Sequence, residues 1–227
     1  MTTPKSILVV GASSGLGAAL ALEHARIGDN VTAVARRGDR LDELARFTPN
    51  PDQWSSVRLD ITAADAISRM TNYRPTADVV YLVAGVNSSD PDVIMRTNLI
   101  GPIQIAEAYA GHVSTIVVIS SVAAVVQFPG LAAYGASKAG LEHWARTFAQ
   151  STTSQILVVR PGQFASEFFE PREKLVVGDL PFARAKEVLD KVARSERSQT
   201  MTLGARRDAL SASMSRIVGS RLARKFL

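Results

Sequence analysis

The sequence predicts an α/β fold: a doubly wound, seven-stranded parallel sheet with helices on both faces, formed by a single domain over residues 1–227. Three observations lead there. Short apolar runs rich in β-branched residues alternate with longer stretches of helical spacing, the pattern of strands buried on both faces and wrapped by crossover helices. The first run passes directly into a glycine-rich turn, Gly11-Ala12-Ser13-Ser14-Gly15-Leu16-Gly17, and then into a helical stretch. At 227 residues, 46% apolar and 21% charged, the chain has the length and composition for one sizeable core.

Strands are expected over residues 6–10, 31–35, 56–59, 78–83, 115–119, 155–159 and 199–203. Helices are expected over about 15–28, 39–47, 62–72, 91–111, 132–150 and 182–195. Right-handed crossovers between parallel strands then wind the helices onto both faces. No repeat or low-complexity stretch interrupts the order. The least regular region, residues 163–181, reads as a loop or lid, with two prolines, a glycine and several aromatics.

Composition excludes several classes. The chain has no cysteine, so disulfides and thiolate metal sites are ruled out, and His24, His112 and His143 are too scattered to suggest a metal cluster. No metal is expected. The apolar run before the glycines is too short for a signal-peptide core or a membrane span, and a cytoplasmic protein is expected. The net charge of +5 resides in residues 206–227, which hold six basic residues against one acidic; the rest of the chain, with 20 of each sign, is neutral. No nucleic-acid-binding motif accompanies that basic segment, so no nucleic-acid partner is expected.

A glycine turn between a strand and a helix is where a dinucleotide phosphate binds. Helix-terminal N–H groups meet the anion there, and glycine lets the backbone approach without an intervening Cβ. Gly11, Ser13, Ser14, Gly15, Leu16 and Gly17 are therefore candidate cofactor contacts. The run Gly11-Ala12-Ser13-Ser14-Gly15 also matches the Gly-x-Ser-x-Gly elbow of α/β-hydrolases, with Ser13 as nucleophile. That elbow draws part of its oxyanion hole from an earlier strand, and only ten residues precede Gly11. About 20 residues past the glycines, an acidic residue would bind the ribose hydroxyls of NAD. Here Ala35 is followed by Arg36 and Arg37. Guanidinium groups pair with a ribose phosphate where a carboxylate would repel it, so NADP(H) is favoured over NAD(H).

The fifth strand ends at Ser120-Ser121, and the next helix carries Tyr134-Gly135-Ala136-Ser137-Lys138. Tyr134 and Lys138 are four apart and share a helix face. A phenol with a pKa of about 10 is a poor base at neutral pH, and a nearby ammonium is expected to lower that value.

With these residues the sequence resembles the classical short-chain dehydrogenase/reductase family over most of its length. The matching residues fall in the family's order: Gly11, Gly15 and Gly17; Asp60 and Ile61; Ala84 and Gly85; Asn98; Ser121; Tyr134 and Lys138; Pro161 and Gly162. The resemblance implies a Rossmann domain that moves a hydride between NADP(H) and a carbonyl/secondary-alcohol substrate. It implies that Tyr134 exchanges a proton with the substrate oxygen, Ser121 hydrogen-bonds that oxygen, Lys138 binds the nicotinamide ribose and tunes the phenol, and Asn98 holds a water leading from Lys138 to solvent. Asp60 and Ile61 would meet the adenine, Ala84 and Gly85 the adenine ribose, and Pro161 and Gly162 the nicotinamide. Family members are commonly dimers or tetramers, so a homo-oligomer is expected. A non-enzymatic NADP(H)-binding sensor or scaffold is the alternative, against which the intact Tyr134 and Lys138 argue.

Two departures stand out: the family begins its glycine motif with Thr and places Asn before Ala-Gly, where this chain has Val10 and Val83. Local rigidity between the two strands is the property they put in question. Phe164, Phe168, Phe169, Leu175, Val176 and Val177 in the lid suggest an apolar substrate wall, or simply pack the loop. Leu210, Met214, Ile217, Val218, Leu222 and Phe226 recur near helical spacing among the cationic residues of segment 205–227. A basic amphipathic helix docked on protein is the favoured reading there, and peripheral contact with anionic lipid the other.

Overall fold

The structure is a computed structural model describing residues 3–162 and 177–203. Its strands are β1 (Ser6–Val10), β2 (Asn30–Ala35), β3 (Trp54–Arg58), β4 (Ala77–Leu82), β5 (Val113–Ile119), β6 (Gln155–Arg160) and β7 (Gln199–Thr202). The helices are α1 (Gly15–Arg26), α2 (Gly38–Ala45), α3 (Ala66–Tyr73), α4 (Pro91–Met95), α5 (Gly101–Tyr109), α6 (Ala132–Phe148) and α7 (Phe182–Ala193). All seven strands pair in parallel in the order β3-β2-β1-β4-β5-β6-β7.

Strand alternation divides the core in two. On β1, Ile7 and Val9 face a cluster with Ala18 and Ala21 of α1, Leu41 and Leu44 of α2 and Val188 of α7. Leu8 and Val10 face the other side, against Met70 of α3, Ile105 of α5 and Leu141 of α6. A two-residue strand period with both faces apolar can be satisfied only by helices on both sides, which is why these strands read as unbroken apolar runs.

The strand order reverses at β1: the chain winds outward through β2 and β3, then returns to β4 on the other side and continues to β7. Connections leave in opposite directions at that point and open a crevice beyond the carboxyl ends of the strands, where ligands bind in sheets of this kind. The β1–β4 tie there is made by backbone, since Val83 N and Ala84 N both donate to Val10 O at 2.9 Å. Val10 and Val83 themselves pack as apolar residues. Their departure from the family pattern therefore leaves the neighbouring strands joined.

Several expected boundaries move. The helix expected over 91–111 is broken by a π-helical turn at Arg96–Ile100. Pro102 has no N–H to return to the carbonyl four residues back, and the Asn98 side chain bonds to the backbone of Val86. The third helix starts at Ala66 rather than 62, because Asp60 accepts from both the N–H and the hydroxyl of Thr62 and holds a turn there. Strand β3 begins two residues early, with Trp54 in register with Val31. Of the expected lid, 163–176 lies outside the described residues, as does segment 205–227. Val177–Asp179 form a short 3₁₀ turn ahead of α7, and Leu180 after it is buried against α1's face of the core. Among the described residues no helix is long and apolar enough to cross a membrane.

Candidate active site

A cavity of about 930 Å³ lies over the crevice. Its lining brings together Gly11, Ser13, Ser14, Gly15, Leu16, Gly17, Arg36, Arg37, Asp60, Ile61, Ala84, Gly85, Ser121, Tyr134, Lys138, Pro161 and Gly162. Of the catalytic and cofactor residues expected from the sequence, all of them among the described residues, Asn98 alone stands behind the wall, fully buried; Val177 of the expected apolar wall packs on the core instead.

The glycine turn is shaped by close approach. Gly11 sits at φ +97°, and a Cβ there would come within 2.5 Å of Ala84 N. A Cβ on Gly17 would lie 2.2 Å from the Gly11 carbonyl oxygen. No side chain caps the start of α1. Instead Arg37 reaches back across the turn, donating from Nε and Nη2 to Ser13 Oγ at 3.2 and 3.1 Å and from Nη2 to Ser14 Oγ at 2.7 Å. Arg36 is exposed beside Asp60. Burial works to raise the Asp60 carboxyl, but the two bonds from Thr62 and the charge of Arg36 outweigh it and hold the group below its ordinary pKa.

Helix α6 delivers Tyr134 and Lys138, both buried. It lies close to the 3₁₀ turn Val122–Ala124 because Gly135 has no Cβ, which would stand 2.9 Å from Ala123 O. Ser121 caps that turn, accepting from Ala123 N at 3.1 Å, and its hydroxyl is also hydrogen-bonded to the Tyr134 hydroxyl. Lys138 Nζ donates to Ile119 O at 3.0 Å and lies 6.0 Å from the centre of the Tyr134 ring. Burial pushes its pKa down to about 8, against the opposing charge of Glu142.

The phenol corrects a sequence expectation. Lys138 was expected to make Tyr134 more acidic, yet the Tyr134 pKa is raised, because burial outweighs the hydrogen bond with Ser121. The ammonium points to a carbonyl of β5 rather than bonding the phenol.

Asn98 acts on the scaffold. Its Oδ1 accepts from Val86 N at 2.7 Å, while Nδ2 donates to Val86 O at 2.9 Å and to Ser137 Oγ at 3.3 Å. Ser137 in turn donates to Tyr134 O at 2.7 Å, so the π turn, the strand end beyond β4 and α6 are tied at one buried point. Gly85 passes between, a position from which a Cβ would lie 3.5 Å from both Asn98 Oδ1 and Lys138 Nζ.

Sequence reasoning passed over three buried polar residues beside the cavity. Glu142 accepts from Ser120 Oγ at 2.7 Å and from both ends of the Arg160 guanidinium. Glu142 stands four residues beyond Lys138 on the same face of α6, and Arg160 is a lone charge at the end of an apolar strand just before Pro161. Those two patterns were the available signal. It also missed Val86, Val122, Phe128 and Leu131, which line the cavity beside Tyr134. His24 is placed in the core, between Asp29 Oδ2 at 2.7 Å and the Tyr81 hydroxyl at 3.0 Å, away from this cavity.

Comparison with known proteins matches residues 5–175 to the short chain dehydrogenase family. Among curated proteins, an uncharacterized oxidoreductase of Mycobacterium tuberculosis is 33% identical over 194 residues, covering 73% of this chain and 75% of the relative. A sulfoacetaldehyde reductase of Chromohalobacter salexigens is 30% identical over 71% of this chain and 73% of its own. An 11-beta-hydroxysteroid dehydrogenase-like protein of Arabidopsis thaliana is 28% identical, the match covering 78% of this chain but only 64% of that longer protein. Among solved structures, a short-chain dehydrogenase from Streptomyces avermitilis superposes with a TM-score of 0.78 at 24% identity, over 96% of this chain and 93% of the other. A short-chain dehydrogenase/reductase from Burkholderia multivorans with bound NADP does so at 0.73 and 27% identity, over 88% and 96%.

Proposed function

Because the chain belongs to the short-chain dehydrogenase family, we propose that it is an NADP(H)-dependent oxidoreductase acting on a carbonyl/secondary-alcohol pair. The observation that carries the reading is the buried Tyr134 hydroxyl, hydrogen-bonded to Ser121 with Lys138 one helical turn along, in a cavity continuous with the glycine turn. When bound, NADP(H) supplies or accepts the hydride. The residues fit such a group: Gly11 and Gly17 leave no room for a side chain where a pyrophosphate would lie, and no carboxylate stands at position 35. Arg37, Ser13 and Ser14 would hold the ribose phosphate, with Arg36 adding charge. The NADP in the Burkholderia structure, at 27% identity, supports that preference.

In this reading Tyr134 is the proton donor and acceptor and Ser121 orients the substrate oxygen. Lys138 binds the ribose side of the cofactor as a buried cation, and Asn98 holds the surrounding turns in place. Burial keeps the phenol protonated at neutral pH, which suits it to give a proton to a carbonyl oxygen. The described lining includes Val86, Val122, Phe128 and Leu131 together with the polar Asn87 and Thr97, which favours a substrate with an apolar part next to its reacting carbon. We read the protein as a cytoplasmic homo-oligomer, a dimer or tetramer, in keeping with the exposed Val93 and Ile100 near the π turn.

The test is NADPH oxidation with a panel of apolar ketones and quinones, comparing the protein with Tyr134→Phe. Turnover that collapses in the variant is expected. Equal rates in the two proteins would remove the assignment, and NADPH binding with no turnover in either would favour a cofactor-sensing role.

A further inference from the structure

We propose that Glu142 is a positioning residue of this site: clamped by Arg160 and Ser120 beneath the cavity, it sets the charge of Lys138. The proposal rests on the reading of Lys138 as part of the catalytic machinery.

Tyr134, Lys138 and Glu142 stand at intervals of four along α6, so one helix face carries phenol, ammonium and carboxylate in succession. The first two line the cavity and the third lies beneath it, 1% exposed. Its two oxygens are fully engaged. Oε1 accepts from Ser120 Oγ at 2.7 Å and Arg160 Nε at 2.6 Å, and Oε2 accepts from Arg160 Nη2 and from Arg146 Nη1 at 3.2 Å.

The positions of the partners give the carboxylate its reach. Ser120 follows Ile119, whose carbonyl holds Lys138 Nζ, and precedes Ser121. Arg160 ends β6 and is followed directly by Pro161 and Gly162 of the cavity wall. The two strand ends that border the reacting side of the cavity are thus fastened to one carboxylate on α6.

A buried ion pair is seldom the cheapest way to stabilise a core, because desolvation of both charges offsets their attraction. Its place here has a specific electrostatic effect. Lys138 is faced by Tyr134 and Glu142 from α6, by Asn98 from the π turn and by the Ile119 carbonyl from β5. Glu142 is the anion of that set, and it stands between two buried cations, Lys138 and Arg160. Neutralising it leaves the cations facing each other, and the ammonium gives up its proton more readily. Neutralising Arg160 instead leaves the carboxylate with the half-exposed Arg146 as its remaining counter-charge, so more of its field falls on Lys138, which then holds its proton more tightly.

The opposite signs make the test. The protein is prepared with ¹³C at lysine Cε, the Lys138 resonance is assigned by its loss in Lys138→Met, and its shift is followed against pH. Glu142→Gln lowers the Lys138 midpoint by about one pH unit relative to wild type, and Arg160→Gln raises it. Should either single variant fail to fold, Glu142→Gln/Arg160→Gln, which leaves neither charge unpaired, still shows a midpoint below wild type. A role confined to packing moves none of these midpoints, and unchanged midpoints in folded variants overturn the proposal. Because the titration needs no substrate, the two readings fail separately: midpoints that shift as stated in a protein without turnover refute the enzyme reading and leave only the coupling of Glu142 to Lys138 standing.

Discussion

Arg37→Ala isolates the basis of cofactor choice. The guanidinium makes three hydrogen bonds to neutral hydroxyls, two to Ser13 and one to Ser14. A ribose phosphate is a better acceptor: bonds to a charged group contribute about 1.5–3 kcal/mol each, against about 1 kcal/mol for a neutral one. Exchanging serine for phosphate therefore gains about 1–2 kcal/mol, taken at the low end because Arg37 is exposed and screened by salt. Removal should weaken NADPH binding roughly 5–30-fold and leave NADH, which has no phosphate, within about threefold. Cofactor fluorescence titrations at low and physiological ionic strength measure both, and the NADPH penalty should shrink as salt rises. Arg36→Ala should show the same selectivity, more weakly if Arg36 acts only through its charge. An equal loss for NADPH and NADH would refute the phosphate contact, because a general distortion of the turn is blind to the phosphate.

Three further expectations follow from the same geometry. Tyr134→Phe should lower kcat about 10²–10⁴-fold while leaving NADPH affinity and the thermal midpoint near wild type, since it removes only the proton-carrying oxygen. Lys138→Met should inactivate the enzyme but raise its stability at neutral pH. The fall of the Lys138 pKa from 10.5 to about 8 means that carrying the buried proton costs about 3 kcal/mol in the folded state. Between pH 8 and about 10 the unfolded chain binds that proton and the folded chain does not, so wild-type stability should climb with pH across this window, a slope absent in Lys138→Met. Above it, tyrosine ionisation acts with the opposite sign, Tyr81 being raised to beyond the ordinary range by burial. Gly17→Ala would set a Cβ 2.2 Å from the Gly11 carbonyl oxygen, so a loss of about 1–3 kcal/mol in chemical denaturation and a sharp loss of NADPH binding are expected.

What could be read from the sequence was whatever local chemistry fixes. The apolar runs announced the central strands β1, β2, β4, β5 and β6, whose residues alternate between two covered faces, while the edge strands β3 and β7 are half-exposed and carry polar side chains; the glycine turn announced itself because Gly11 and Gly17 cannot carry a Cβ. The spacing of Tyr134 and Lys138 was equally local. The break at Asn98 was harder to read: it depends on Val86, twelve residues away, offering both its N–H and its carbonyl to one side-chain amide. Glu142, Ser120 and Arg160 were hard to read for the same reason: their bonds join a helix to the ends of two strands, and the local hints were the four-residue step from Lys138 and the lone charge closing an apolar run.

The sign of the Tyr134 shift shows where sequence spacing stops being informative. An ammonium four residues away in a helix favours the phenolate only if the two groups are close and the phenol keeps its water. Here Lys138 turns toward Ile119 O, 6.0 Å from the ring centre, and the hydroxyl is enclosed with Ser121. Burial disfavours the charged form of each group, raising the phenol and lowering the amine, so the two pKa values move apart and the amine titrates below the phenol. The phenol therefore stays protonated while the amine one helical turn along titrates near 8, so the charge around the cavity changes at Lys138 first. In the proposed reading carbonyl reduction takes its proton from Tyr134 with Lys138 as a cation, so its rate should hold at neutral pH and fall as the pH passes about 8, where Lys138 loses its charge. A rate of reduction that instead rose through that pH would mean that the neutral amine is the working form, and would refute the role given to the Lys138 cation.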